Sequence, residues 1–272
     1  MIHIDSLEFS HVKQERLFDD LGFKAEPGSI TGLLGKNGAG KTSLLKLIAG
    51  ILFPDKGTVQ VLDYQPKKRH PDFLKQVYYL SEEFYLPGTS AKNYIKANSI
   101  FYPNFDHEMM LSQLQDFEIP IKNSLDKMSY GQKKKFLISF ALSTKCRLLI
   151  LDEPTNGLDI PSKTLFRKIL AGALDENQLV LISTHQVKDV ENLIDRITIL
   201  NNGKIIFDQD ILSISDRFQF TTLPNLDTQT VLYSERSPGG YKVILDNPGS
   251  NSQVDIELLF NAITQGIKLK RL

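Results

Sequence analysis

Along the first third of the chain, apolar runs of strand length alternate with stretches whose apolar positions recur at helical spacing. Ile2, Ile4 and Leu7 open one strand, and a Pro27-Gly28 turn precedes a second apolar run over 30–34. A helix is predicted next, with Leu44, Leu45, Leu47 and Ile48 as its apolar stripe and Gly50 as its stop. Residues 57–62 and 77–80 read as further strands. The same texture returns at 148–151, 179–183 and 196–200, with helical patterns between. Short apolar strands separated by helices predict a mainly parallel sheet covered on both faces, an α/β fold.

Between about 89 and 145 the pattern changes to helices interrupted by Pro103 and Pro120, which predicts a helical subdomain inserted into the alternation. Past about 208 the alternation stops. Residues 231–233 and 241–245, joined around Ser237-Pro238-Gly239-Gly240, predict a hairpin. A terminal helix is predicted over 255–263, with Ile256, Leu259, Phe260 and Ile263 on one side. The expected organisation is a main domain over 1–207 and a small α+β extension over 208–272.

Composition narrows the picture modestly. Lys+Arg and Asp+Glu both number 32, so the basic excess typical of nucleic-acid binding is missing, and no nucleic-acid partner is expected. A single cysteine, Cys146, excludes an internal disulfide; its simplest role is a small buried hydrophobe at the start of a strand. The opening residues show no export signal, and no apolar run approaches the roughly 18 residues that span a bilayer. Any service to a membrane is therefore expected to run through a partner.

The chemistry begins where the second apolar run ends. Gly35-Lys36-Asn37-Gly38-Ala39-Gly40-Lys41-Thr42 satisfies the phosphate-loop pattern and lies between a predicted strand and a predicted helix. Glycines admit φ > 0 and let successive N–H groups surround an anion, and the helix start behind them adds partial positive charge. Lys41 is expected at the β/γ-phosphates, the Thr42 hydroxyl on Mg²⁺, and Ser43 near the α-phosphate. The apolar run 148–151 ends in Asp152-Glu153. An acid at such a strand end holds Mg²⁺ in phosphate-loop NTPases, here Asp152, and Glu153 is then placed to orient or deprotonate the attacking water. The run 179–183 leads to Thr184-His185, where a histidine at a strand's carboxyl end could donate to the γ-phosphate.

Taken together, the phosphate loop, Met128-Ser129-Tyr130-Gly131-Gln132, Asp152-Glu153, Asn156-Gly157-Leu158-Asp159 and His185 resemble, in order and spacing, an ABC-type ATPase over about residues 2–207. The resemblance implies the P-loop NTPase fold of that family, with an antiparallel N-terminal β part beside the core sheet. It implies that two such domains sandwich two Mg-ATP head to tail. Ser129, Tyr130, Gly131 and Gln132 would then face the nucleotide of the opposite subunit, and Asp159 would lie at the dimer interface. In physical terms Ser129 and the following amides would open a helix over 131–142, whose start attracts anions; Ser129 also reads as a plain N-cap.

Three positions depart from the family pattern. Tyr130 stands where glycine is commonest. Glu82 replaces a glutamine as an expected Mg²⁺ or water contact. The tyrosine expected to stack on adenine is missing, with His11 its nearest equivalent and Phe9 a second.

The helical insert, with Phe101-Tyr102-Pro103-Asn104-Phe105-Asp106, resembles that of ABC-2-type exporter ATPases. The hairpin and terminal helix of the extension resemble the same branch. Such a resemblance implies an integral membrane transporter subunit as partner, a second ATPase subunit, identical or not, and a peripheral place at the cytoplasmic face of the cell membrane. Tyr78, Tyr79, Phe84, Tyr85, Phe101, Tyr102 and Phe105 give this region an aromatic richness suited either to that partner's interface or to a helical core. The competing expectations are a non-transport ABC ATPase acting on a protein assembly and a nucleotide-gated binding module.

Overall fold

The computed structural model describes residues 1–12, 15–226, 230–247, 249, 252–267 and 269. The chain opens with β1 (Ile2–Ser10), β2 (Arg16–Ala25), β3 (Ser29–Leu34), α1 (Lys41–Ile48), β4 (Lys56–Val61), the single turn α2 (Pro71–Leu74) and β5 (Val77–Leu80). The helical stretch contributes α3 (Ala91–Asn98), α4 (His107–Asp116) and α5 (Tyr130–Ser143). Next come β6 (Leu148–Asp152), α6 (Ile160–Ala173), β7 (Leu179–Thr184), β8 (Arg196–Asn201) and β9 (Lys204–Asp210). The chain continues through α7 (Ile211–Arg217), β10 (Phe218–Leu223), β11 (Tyr233–Ser237), β12 (Gly240–Asp246) and α8 (Ile256–Thr264).

Three sheets form. The central one has the order β5-β6-β7-β3-β8-β9, parallel except for β9, which pairs antiparallel with β8 at the edge. Every residue of β6 and β7 is buried, and in β3 every residue except Ser29. Strands covered on both faces must be apolar throughout, which is why these three read as continuous hydrophobic runs. Leu34 pairs with Thr184 and Asp152 with Ser183, so the carboxyl ends of β3, β6 and β7 stand side by side. The loops after them converge on one crevice, the place where open α/β sheets bind ligands.

One face of this sheet packs against α1 and the antiparallel sheet β2-β1-β4, through Phe9, Phe18, Leu44, Leu45 and Ile48. The other face carries the core of the helical region, with Phe136, Phe140 and Leu151 at its centre. The C-terminal sheet, ordered β10-β12-β11, and α8 join this second core through Phe218, Ile244, Ile256 and Leu259.

The structure moves several expected boundaries. Helix α5 begins at Tyr130, not at residue 131, and runs to Ser143, because Ser129 is its N-cap. The hairpin strand expected over 231–233 instead spans Tyr233–Ser237, and Ser237 pairs with Gly240 across a two-residue Pro238-Gly239 turn. Past residue 208 the edge strand β9 continues to Asp210, and β10, absent from the sequence reading, pairs with β12. Cys146 is buried two residues before β6, as expected. No helix among the described residues is long and apolar enough to cross a membrane.

Candidate nucleotide site

The loop 35–40 joins β3 to α1 and lines a cleft of about 450 Å³ with His11, Leu17, Lys41, Thr42, Ser43, Glu82 and Glu153. Gly40 takes φ +105° at the helix start, a conformation that a side chain would strain. No side chain caps α1, so its first amides stay open toward the cleft, where an anion can accept from them. Lys41 is buried, and its Nζ donates to the loop carbonyls of Gly35 at 2.7 Å and Lys36 at 3.3 Å. Burial pulls its ammonium below the ordinary lysine value, while Glu153, Asp152 and Glu82 counter that pull.

Asp152, at the end of β6, is fully enclosed. Its Oδ1 accepts from Thr42 Oγ1 at 3.2 Å and from Ser183 Oγ at 2.5 Å, and its Oδ2 accepts from Tyr79 OH at 3.1 Å. Burial, and then the Asp152 charge, push the Tyr79 phenol above its ordinary range, so it stays a donor. Glu153 follows with φ +46°, in the left-handed region. Its N–H is anchored on Ser183, to the carbonyl at 3.1 Å and to Oγ at 3.2 Å. That anchoring offsets a backbone cost of roughly 1–2 kcal/mol for a non-glycine residue. Its Oε1 accepts from the backbone N–H of His185 at 3.1 Å and meets His185 Nδ1 at 2.7 Å. The other oxygen, Oε2, is buried without a partner.

Glu82 reaches the cleft from the loop after β5, and its Oε1 accepts from Asn156 Nδ2 at 2.9 Å. Asn156 Oδ1 in turn accepts from Gln186 Nε2 at 3.1 Å. The Thr42 hydroxyl thus meets the Asp152 carboxylate, and Glu82 lines the same cleft as Thr42. Hard oxygens of this kind, with room for phosphate and water, fit Mg²⁺, which rarely occupies an all-protein cage. No group of three or more His, Cys, Asp or Glu side chains able to hold a metal ion exists among the described residues.

Of the two aromatic positions considered for adenine, Phe9 is only 5% exposed and packs in the core. Its burial removes it as a platform. His11 lies at the cleft rim, its Nε2 3.0 Å from Ser43 Oγ and its ring edge-on to Phe9.

Ser129 and Gln132 form a capping box at the start of α5: Ser129 Oγ accepts from Gln132 N at 3.2 Å, and Gln132 Oε1 accepts from Ser129 N at 3.0 Å. The N-cap reading of Ser129 therefore holds within one chain, and the residue is not among those lining the cleft. Tyr130 is tied in a way the sequence did not suggest. Its ring stacks on Phe84 at 5.2 Å, its hydroxyl donates to the Glu82 carbonyl at 3.0 Å, and it lies against Gly157, where a Cβ would come within 2.5 Å of it. Gly131 approaches the Gly157 carbonyl, which would lie 3.0 Å from an added Cβ. Asp159 caps α6, its Oδ1 accepting from Ser162 N at 2.9 Å.

A second cleft of about 490 Å³ opens between β5 and the helical region, lined by Tyr78, Tyr79, Tyr94, Ile100, Phe101 and Tyr102 among others. Four of the seven aromatics noted in the sequence line it. The other three go elsewhere: Phe84 stacks on Tyr130, Phe105 packs on Phe140, and Tyr85 stands 86% exposed. Lys134, which the sequence reading passed over, is buried beside Phe84. No local signal in the run Lys133-Lys134-Lys135 marks which of the three lysines turns inward.

Residues 18–156 match the family model described as ABC transporter. The chain is 29% identical over 206 residues to the ABC transporter ATP-binding protein YtrB of Bacillus subtilis, covering 75% of this chain and 70% of that one. It is 32% identical over 196 residues to the SkfA peptide export ATP-binding protein SkfE of the same organism, covering 70% and 81%. The fold matches a dimeric ATP-binding cassette, MJ0796, in a post-hydrolysis state with ADP and Pi, at TM-score 0.68 and 19% identity over 77% of this chain and 98% of that one. With the phosphate loop, the strand-end carboxylates and the family match all in place, the chain belongs to the ABC transporter family and is an ATP-binding subunit that hydrolyses ATP for transport.

Proposed function

We propose that this subunit drives an exporter, closing with a second ATPase subunit around two Mg-ATP and passing that closure to a separate integral membrane subunit. The observation that carries the reading is the aromatic cleft beside β5, which adjoins the nucleotide site through Tyr79. Tyr79 lines that cleft while its hydroxyl donates to Asp152. Phe101 and Ile100, on its rim, are 61% and 74% exposed, an apolar surface suited to a short helix of a membrane partner. A relative named for peptide export favours the outward direction. The subunit would then sit at the cytoplasmic face of the membrane, held there by its partner.

The cis half of the site divides the work of phosphoryl transfer by position. The loop amides and Lys41 hold the β/γ-phosphates, exchanging the carbonyls of Gly35 and Lys36 for phosphate oxygens. Thr42, Asp152 and Glu82 would hold Mg²⁺, which neutralises charge on the phosphates. Glu153 would use Oε2, which has no partner in the chain, to orient the attacking water, while His185 meets the other oxygen. His11 offers its ring to adenine. Ser129, Tyr130, Gly131 and Gln132 belong to the trans half, where the start of α5 contributes amides and a hydroxyl to the partner's γ-phosphate, and Asp159 lies at the joint between subunits.

Co-expression with a candidate membrane subunit tests the export reading. Phe101→Asp should abolish co-purification while leaving ATP turnover of the isolated subunit within about twofold, as for a surface change remote from the site. Undiminished co-purification of that variant, or a stable complex with a water-soluble assembly and no membrane protein, would remove it.

A further inference from the structure

Lys134 lies on the second turn of α5, one helical turn beyond Tyr130, so the two share a face. Both turn to Phe84. Tyr130 stacks on that ring, and Lys134 Nζ stands 5.4 Å from its centroid. The residue is 0% exposed, and its Nζ has no hydrogen-bond partner in the structure. A buried ammonium without hydrogen bonds is costly, and a chain keeps one only where another charge or a function compensates.

The compensating charges are those of the nucleotide cleft. Lys134 feels attraction from Glu82 most strongly, then from Asp152 and Glu153. Burial pulls its ammonium down to about 8, and those three acids hold it up. Glu82 itself is bonded through its side chain to a neutral amide, Asn156. It also brings a negative charge to a cleft that must accept a triphosphate and that Glu153 already lines. A second buried cation close to the same loop, Lys134 packed on Phe84 two residues beyond Glu82, reduces that repulsion.

We propose that Lys134 is a positioning residue for ATP turnover, its buried ammonium acting as the counter-charge of Glu82 so that the two hold the loop after β5 in place against the phosphates. The Phe84 and Tyr130 contacts make this hold mechanical as well as electrostatic, since they join the same loop to the start of α5. The inference rests on the proposed role of Glu82 at the cleft, and it adds a link from the nucleotide to the helix that faces the second subunit.

A double-mutant cycle with Lys134→Met and Glu82→Gln decides the matter, read as kcat, KM for ATP and Tm of the full chain. Methionine keeps the lysine stem's packing and removes only the charge. With Glu82 present, Lys134→Met should lower kcat about tenfold with little change in KM, yet leave Tm equal or higher because a buried charge is gone. In the Glu82→Gln background the same change should alter kcat less than about twofold. Glu82→Gln alone should lower Tm, and the double variant should restore it. Equal loss of kcat in both backgrounds, or unchanged kcat in Lys134→Met, overturns the pairing. Lys134→Gln serves as a second neutral variant should the methionine chain fold poorly. If the unaltered chain turned over no ATP, the reading of the cleft itself would fail; with turnover intact and the cycle additive, only the pairing fails.

Discussion

Nδ1 of His185 lies 2.7 Å from Oε1 of Glu153, and this pairing leaves the second oxygen of the same carboxylate buried and unpartnered. A buried carboxylate oxygen with nothing to accept is costly, and the role proposed for Glu153, orienting the water that attacks the γ-phosphate, would give it a donor. Glu153→Gln should keep ATP affinity and lose turnover by about 10²–10⁴-fold, the range for removing a positioned base. Nucleotide titration beside a phosphate-release assay measures both; a rate within a few fold of the unaltered chain would strip Glu153 of the role.

Tyr130 joins three segments that meet around the cleft: the loop after β5 through Phe84 and Glu82, the loop after β6 through Gly157, and α5 through its own backbone. Replacing it by alanine removes a stacked ring and one hydrogen bond. Unfolding in urea should show a loss of about 1–2 kcal/mol. Tyr130→Phe, which keeps the stack, should lose less than half of that.

How far these features could be read in advance depends on which forces fix them. The phosphate loop, Asp152, Glu153 and His185 were legible because local rules place them: a strand that must be apolar throughout ends where polar residues begin, and the sheet brings those ends together. The choice between Phe9 and His11 needed the strand to be followed past Leu7, where the sequence reading left it. Alternation along β1 gives Phe9 to the core, while His11 lies just past its last residue, at the cleft. Strand β10 escaped notice because Phe218 and Phe220 face the core only in a sheet completed by β12, more than twenty residues onward. Lys134 was invisible for a similar reason. Three consecutive lysines read as a solvated face, and only tertiary packing against Phe84 shows that the middle one points inward.

Cys146 is 2% exposed, and burial pushes its thiol up to about 12 against a weaker opposing bond from Thr144. The thiolate is the reactive form, so the folded chain should resist maleimide at pH ~8 and label rapidly only in denaturant. Fast labelling of the native protein, followed by mass spectrometry, would show that β5 and β6 part readily at this point.

In the C-terminal part, Asp255 caps α8 through Leu258 N at 3.0 Å and pairs with Lys242 at 2.5 Å. Burial pushes its carboxyl up, but the Lys242 bond and the Leu258 N–H outweigh it, and the group titrates below its ordinary value. A lowered carboxylate contributes stability that is fully present above the ordinary range and lost as pH falls through the folded value. Asp255→Ala should therefore cost about 1 kcal/mol at neutral pH. The gap to the unaltered chain should close below pH ~4. Denaturant midpoints at the two pH values check it.

Lys41 is buried against the carbonyls of its own loop, held where an incoming triphosphate can claim it. Calorimetric titration of Mg-ATP into the purified chain and into Lys41→Ala puts this arrangement to the proof. The unaltered chain should show saturable binding, weakened by roughly 100-fold or more in the variant, the scale of losing a buried charge-assisted contact. Equal affinity in the two proteins, or no saturable binding in either, would contradict the cleft as the site of the triphosphate.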